Sequence, residues 1–399
     1  MIALPPSTRS KVALGLRAAA AVGRFELQVC RRCGTVQYPP REACHRCLSS
    51  ALDWRLQEGG GDLLSETTLL HSHDDFFRAR LPIRLGLVRL DAGPTAVVFL
   101  NDDVASAPAR VKVGSRLDRA GQAVLVASPQ AGDGAATRGR LLREMCCDPR
   151  DRKVLVTDAC SALGDELVRS LLDVGAAVVW AGRSPLATMG GELKDLLAAN
   201  RPVRLVDLDV TSDESVTAAA RQIGSQIDIL INNAESPPET TPHEGAESVR
   251  GEMDINYFGL VRLAQAFGAS MRARATAEVP APAVGTPMMA WVNLLSICAL
   301  SPIPAQSTFS ASKVGAFSFA QSLRAEMAPA GIRVVNVFPG HGDEGSREVL
   351  LPKVAPATLA HAMVKALQDG VEDVYPGEVA QDWYTRWHNN PKEVEQTDR

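Results

Sequence analysis

Four cysteines set the tightest constraint on this chain. Cys30-Arg31-Arg32-Cys33 is followed, after ten intervening residues, by Cys44-His45-Arg46-Cys47. Each CxxC hairpin presents two thiolates to one ion, and two hairpins complete a tetrahedral site. Sulfur fills all four positions, so no coordination site stays open and the ion that fits is a structural zinc. A redox dithiol and an iron–sulfur site are the competing readings. A ribbon this small draws much of its folding free energy from its metal. His45 is expected to be exposed rather than a ligand, since the sulfur set is complete. The spacing also bears on compartment. No apolar run approaches the ~20 residues that span a bilayer. Arg17 interrupts the apolar stretch from Val12 to Val22 and no cleavage pattern follows, so that stretch reads as an amphipathic helix. The expected location is the cytoplasm, with no membrane association. There, closely spaced cysteines read as metal ligands before disulfides.

The chain has 399 residues, and at roughly 100–200 residues per domain it holds two or three domains. A net charge of −4 gives no concentrated cationic face, which argues against a nucleic-acid partner. Alanine-rich sequence favours a helix around Ala13–Val22. Short strands broken by turns are expected at Leu63–Leu70, Ile83–Leu90, Ala96–Leu100 and Ala123–Ala127. Gly59-Gly60-Gly61, Asp91-Ala92-Gly93 and Val113-Gly114 serve as punctuation. Four or five such strands suggest a small barrel. Residues 129–150 are rich in Gly, Ala and Arg and lack a period, so they read as a linker with a short helix at Arg138–Met145. From Lys153 to about residue 370, strands such as Val154–Val156 and Ala177–Trp180 alternate with helices, the pattern of a doubly wound parallel sheet. The expected division is therefore a helix and zinc ribbon in 1–50, a barrel in 51–130, a linker in 131–150 and an α/β domain in 151–390.

Residues 24–50, RFELQVCRRCGTVQYPPREACHRCLSS, resemble the rubredoxin-like zinc ribbon of the acyl-CoA-associated zinc-ribbon/OB-fold family. The segments GDLLSETTLLHS, LPIRLGLVRLDAGPTAVVFL and VKVGSRLDRAGQAVLVASP fit that family's OB barrel. The resemblance implies a partner of thiolase-like or aldolase-like type and a CoA thioester as ligand. An OB barrel alone also suggests oligonucleotide binding; the low charge and the 5% aromatic content favour the acyl-CoA reading.

The α/β half resembles a short-chain dehydrogenase over roughly residues 152–385, which implies a Rossmann-like sheet and an NAD(P) cofactor. Thr157-Asp158-Ala159-Cys160-Ser161-Ala162-Leu163-Gly164 is similar to the family's TGxxxGxG loop, but Asp158 and Ala162 replace two glycines and only Gly164 stands. A carboxylate about 4 Å from a phosphate is repelled by roughly 4 kcal/mol at an effective dielectric near 20. Asp158 also suits a helix cap. Other landmarks follow in order. Arg183 resembles the arginine that meets an NADP 2′-phosphate, Asp209 the acid of the adenine-side DV, and Asn232 the first position of NNAG, whose glycine is here Glu235. Asn256 and Ser296 match the catalytic Asn and Ser. Pro339 and Gly340 match the PG pair, with Glu344 where a threonine usually follows. Family spacing puts Phe309 at the catalytic tyrosine position, while Lys313 keeps the lysine of YxxxK.

In that family the tyrosine passes a proton to or from the substrate oxygen, the lysine lowers its pKa and holds the ribose, and the serine steadies the carbonyl. Phenylalanine has no titratable proton. Tyr257, Ser310 and His341 are the candidates to replace it. The cleft is expected to be vestigial: Asn256 would bond backbone carbonyls, and Lys313 would pair with Glu235 or Asp158. The expected function is a non-catalytic accessory subunit of an acyl-CoA-processing complex. Its zinc-ribbon/OB part would contact partner and thioester. Its dehydrogenase-like part would oligomerise, with itself or with an active dehydrogenase subunit, through helices at Met253–Met271 and Thr308–Met327. The alternative is an NAD(P)-dependent 3-hydroxyacyl-CoA oxidoreductase with unusual acid/base residues, fused to a thiolase adaptor.

Overall fold

The computed structural model describes residues 4–7, 10–130, 139–185, 187–236, 246–277, 284–340 and 354–397. The chain divides into two compact units, 1–147 with 277–288 and 368–371, and 148–276 with 289–367 and 372–399.

The first unit opens with helix α1 (Leu14–Ala21), whose Leu16, Ala19 and Ala20 are buried at helical spacing. Strands β1 (Glu26–Cys30), β2 (Val36–Gln37) and β3 (Leu52–Leu56) form an antiparallel sheet in the order β2-β1-β3. β4 (Gly60–Leu69), the short helix α2 (Asp75–Arg78), β5 (Ile83–Leu90), β6 (Thr95–Leu100), β7 (Ala109–Leu117) and β8 (Ala123–Pro129) follow. The strands close into a barrel in the order β4-β5-β6-β8-β7. β7 departs from the expected punctuation. Gly114 lies within the strand, paired with Val126, and nothing crowds the position a Cβ would take. Val111 and Val113 point into the barrel core while their neighbours face out, so the alternation outweighs the lone glycine. Gly59 is a genuine break: its φ is +80° and a Cβ there would lie 2.0 Å from the Val113 carbonyl oxygen.

Within the expected linker, α3 (Arg140–Arg143) precedes a buried carboxylate, Glu144. Its oxygens accept from Arg80 at 2.7 Å and from the Gly285 amide at 2.8 Å. Leu142, Met145, Cys146 and Cys147 are buried with it, so this stretch is folded into the first unit.

The second unit is a seven-stranded parallel sheet in the order β11-β10-β9-β12-β13-β14-β15. In chain order it contains β9 (Lys153–Val156), α4 (Ala162–Asp173), β10 (Val178–Arg183), α5 (Gly191–Ala198), β11 (Val203–Asp207), α6 (Asp213–Ile223) and β12 (Ile229–Asn232). α7 (Ala246–Met253), a π-helical turn at Asp254–Phe258, α8 (Gly259–Ala275), β13 (Ala290–Leu294), α9 (Ser307–Met327) and β14 (Arg333–Val337) come next. α10 (Pro356–Asp369), β15 (Asp373–Val374), α11 (Gly377–Asn389) and α12 (Pro391–Thr397) complete it. The strands are apolar throughout because helices cover both faces, and Leu155, Leu230, Trp291 and Val334 sit in one core. Strand order reverses between β9 and β12. In such sheets the loops leaving the strand ends diverge at that point and open a crevice for a ligand. No helix among the described residues is long and apolar enough to cross a membrane.

Candidate functional site

In the first unit, β1 ends in the Cys30–Cys33 hairpin and a second turn carries Cys44 and Cys47. The four sulfurs lie within 4.8 Å of one another. Cys30 and Cys47 are 3.5 Å apart, and Cys33 and Cys44 3.6 Å. Zinc–sulfur bonds of about 2.3 Å in a tetrahedron place sulfurs ~3.8 Å apart, so the set fits one zinc. Hydrogen bonds from the Thr35 hydroxyl and amide pull the Cys33 thiol down to about 6, toward the thiolate a metal needs. His45 is exposed, with Nδ1 3.3 Å from the Gln37 side-chain oxygen.

In the second unit, the crevice is lined first by the loop after β9. Gly164 is forced: a Cβ there would lie 2.1 Å from the Asp158 carbonyl oxygen. The helix cap is Ser161, not Asp158; its hydroxyl accepts the Gly164 N–H at 3.1 Å. Asp158 acts one turn earlier, where its carboxylate accepts the Cys160 N–H at 3.3 Å and draws on the Ser161 amide. An aspartate two residues before an amide closes this Asx turn readily, which is why the loop turns here without the usual glycine. Burial holds the Asp158 carboxyl above its ordinary range, against those amide hydrogen bonds. Asn233 fixes the loop from β12: Oδ1 accepts the Asp158 N–H at 3.0 Å and Nδ2 donates to its carbonyl at 2.6 Å. Thr157 is buried, its hydroxyl accepting the Asn233 N–H at 3.1 Å and lying 3.3 Å from Asn232 Oδ1.

The adenosine-side residues are engaged with the protein itself. Arg183, at the end of β10, donates to Asp207 at 3.0 Å. Asp209 accepts from the Thr211 amide at 2.9 Å and hydroxyl at 2.7 Å, closing the turn into α6.

At the catalytic end, Phe309 is fully buried on α9. Lys313 Nζ, one turn along, lies 5.3 Å from the ring centroid, within cation–π range. Lys313 is 1% exposed and forms an ion pair with Glu235 at 2.8 Å; it also donates to the Leu294 carbonyl at 3.3 Å. Of the two partners expected for it, Glu235 is the one taken. Asn256 sits in the π-helical turn, a kind of irregularity that recurs at functional sites. Its Oδ1 accepts the Ser236 N–H at 3.1 Å and its Nδ2 donates to the Ser312 hydroxyl at 2.9 Å. The expected backbone carbonyls are thus replaced by an amide and a hydroxyl. Ser312, which in turn donates to the Phe309 carbonyl at 2.7 Å, gave no sequence cue beyond lying beside Lys313. Ser296 is fully buried and accepts the Cys298 N–H at 3.2 Å. Burial pushes the Cys298 thiol up, so it is not a ready nucleophile. The Pro339 carbonyl accepts from Ile297, and a Cβ on Gly340 would press on Val379 at 3.1 Å.

Of the candidates to replace the tyrosine, Ser310 Oγ accepts the Ile303 N–H at 3.3 Å and is fully buried. Tyr257 packs on Gly315 and Phe319. His341 and Glu344 lie outside the described residues.

Comparisons with known proteins agree with both halves. The family described as ChsH2, rubredoxin-like zinc ribbon domain, matches residues 17–53, and the ChsH2 C-terminal OB-fold domain matches 54–122. The short chain dehydrogenase family matches 152–348. The chain joins a ChsH2-type zinc ribbon and OB-fold to a short-chain dehydrogenase domain. Within that last family, an oxidoreductase of Staphylococcus saprophyticus is 29% identical over 233 residues, 55% of this chain and 92% of that protein. Dehydrogenase/reductase SDR family member 7B of Xenopus laevis is 34% identical over 202 residues; these are 47% of this chain and only 57% of that relative. Among solved structures, a short chain dehydrogenase from Burkholderia cenocepacia in complex with NADP is 30% identical. Its TM-score is 0.53, with 63% of this chain and 98% of that one covered.

Proposed function

We propose that this chain is a non-catalytic accessory subunit of an acyl-CoA-processing complex built around a thiolase-like or aldolase-like enzyme. One observation carries the reading: the position that would deliver the proton holds a fully buried phenylalanine, and the lysine beneath it is committed to a carboxylate of its own chain. As these side chains stand they do not fit a dinucleotide. Lys313 is neutralised by Glu235, and Asp158 sets a carboxylate among the loop amides. Removing a general acid costs ~10²–10⁴-fold by itself, before any loss of cofactor affinity. The useful surface then belongs to the ChsH2-type part, whose zinc holds the ribbon in shape while the barrel meets the partner and a CoA thioester. The dehydrogenase domain contributes helices for oligomerisation. The test is co-expression with neighbouring genes: a thiolase-like or aldolase-like protein should stay bound through purification. Recovery of a lone homo-oligomer that turns over a ketoacyl-CoA with NAD(P)H overturns the reading.

A second reading is an NAD(P)-dependent 3-hydroxyacyl-CoA oxidoreductase fused to its thiolase adaptor. It is supported by the retained Asn256, Ser296 and Lys313, and by the likeness to a Burkholderia dehydrogenase that binds NADP. Steady-state assays with 3-ketoacyl-CoA and each reduced nucleotide separate the two.

A further inference from the structure

Two carboxylates in the crevice stand where the family pattern has glycine, and each is matched to a group that would otherwise lack a counter-charge or an acceptor. Asp158 takes the Cys160 N–H, in a loop whose amides form an anion-binding concavity when glycines line it. Glu235 takes Lys313, a side chain 1% exposed that is costly to leave charged without a partner. The two come from different strands, β9 and β12, on either side of the sheet's reversal point. Their placement is tied together by Asn233, which bonds the Asp158 backbone from both its amide nitrogen and its oxygen, two residues before Glu235.

We propose that the crevice is closed from within: Asp158 and Glu235 occupy, as carboxylates of the chain itself, the two points at which a short-chain dehydrogenase would anchor a dinucleotide. Asp158 does for the loop amides what a pyrophosphate oxygen would do. Glu235 does for Lys313 what a ribose would do, and adds the charge a ribose lacks. The domain is thereby complete and stable with no cofactor bound, as a docking platform requires. Arg183 is not part of this closure, because its partner Asp207 is exposed and such surface pairs exchange readily with other anions. The inference rests on the accessory reading in taking the crevice to be out of catalytic use.

NADPH is the probe, since Arg183 would favour its 2′-phosphate. With the full-length protein, wild type should show no saturable NADPH fluorescence signal up to about 1 mM and no shift of its melting temperature. Asp158→Gly with Glu235→Gly should melt lower than wild type. NADPH added in trans should then restore part of that loss and bind at least about a hundredfold more tightly than to wild type. Should that pair fail to fold, Asp158→Asn with Glu235→Gln keeps the shapes and removes the charges, and must still tighten binding by at least about tenfold. Saturable wild-type binding below about 100 µM overturns the proposal, and so does a folded glycine pair that ignores NADPH. Neither result touches the accessory reading, which stands or falls with the co-purification and turnover experiments.

Discussion

The zinc ribbon and the dehydrogenase crevice are both ligand sites inherited with their folds, and they have fared in opposite ways. The ribbon keeps every atom that touches its ligand: four sulfurs within 4.8 Å, on two CxxC hairpins. The crevice keeps its frame and has changed the atoms that touch the ligand. Gly164, Asn256, Ser296 and Lys313 hold their places, while Phe309, Asp158 and Glu235 do not. The difference follows from what each ligand contributes. A structural zinc supplies the ribbon's folding free energy, so losing a ligand unfolds it. The parallel sheet rests on a large apolar core of its own, so its crevice can change without loss of that core.

The sharpest way to break the comparison is at the ribbon. Chelation, or Cys33→Ser, should release one zinc per chain and unfold residues 24–56, since binding to such sites is worth about 10–16 kcal/mol. Metal analysis and hydrogen exchange of β1–β3 read this directly. A ribbon still protected after zinc is removed would put the folding free energy elsewhere.

At the crevice, Glu235→Ala should lower stability by about 2 kcal/mol. Breaking a fully buried pair costs about 3–5 kcal/mol, and water reaching the Glu235 side, which is 33% exposed, takes up part of it. Denaturant unfolding measures the change. An unchanged midpoint would mean that Lys313 does not depend on its partner.

Phe309→Tyr comes next. The new hydroxyl would enter a site with no exposure, and an unsatisfied buried hydroxyl costs about 1–3 kcal/mol. Destabilisation with no gain in NAD(P)H-dependent ketoacyl-CoA reduction is expected. If this one change produced turnover, the crevice would still accept cofactor and the contrast with the ribbon would collapse.

These experiments probe features that were unequally legible in the sequence. The metal site could be read completely, because the identity and spacing of four like ligands are the site. The α/β sheet could also be read, since strands covered on both faces leave apolar runs such as Val154–Val156. β7 could not: Gly114 broke the pattern, and only its pairing with Val126 shows that the strand continues through it. The cap of α4 was read at Asp158 and is Ser161, because both residue types cap well and only geometry chooses. The hydrogen bonds of Asn256 depended on Ser312, fifty-six residues away, and no local pattern announces such a pairing.

The smallest expected effect is the most informative about Asp158. Its carboxyl is held above the ordinary range near 3.9 by burial, so the folded state binds a proton more tightly than the unfolded chain does. Its contribution to stability is therefore fully present below about pH 4 and is lost as pH rises through the folded-state value. Burial disfavours its charged form, and the hydrogen bonds from Cys160 and from the Ser161 amide and side chain offset part of that. Asp158→Asn keeps an oxygen to accept the Cys160 N–H and removes the charge. The variant should be more stable at pH 7, by on the order of 1 kcal/mol or less, and the advantage should vanish below about pH 4. Paired melts across that range decide it. A variant less stable at pH 7 would mean that the hydrogen bonds to the Asp158 carboxylate outweigh the cost of its burial.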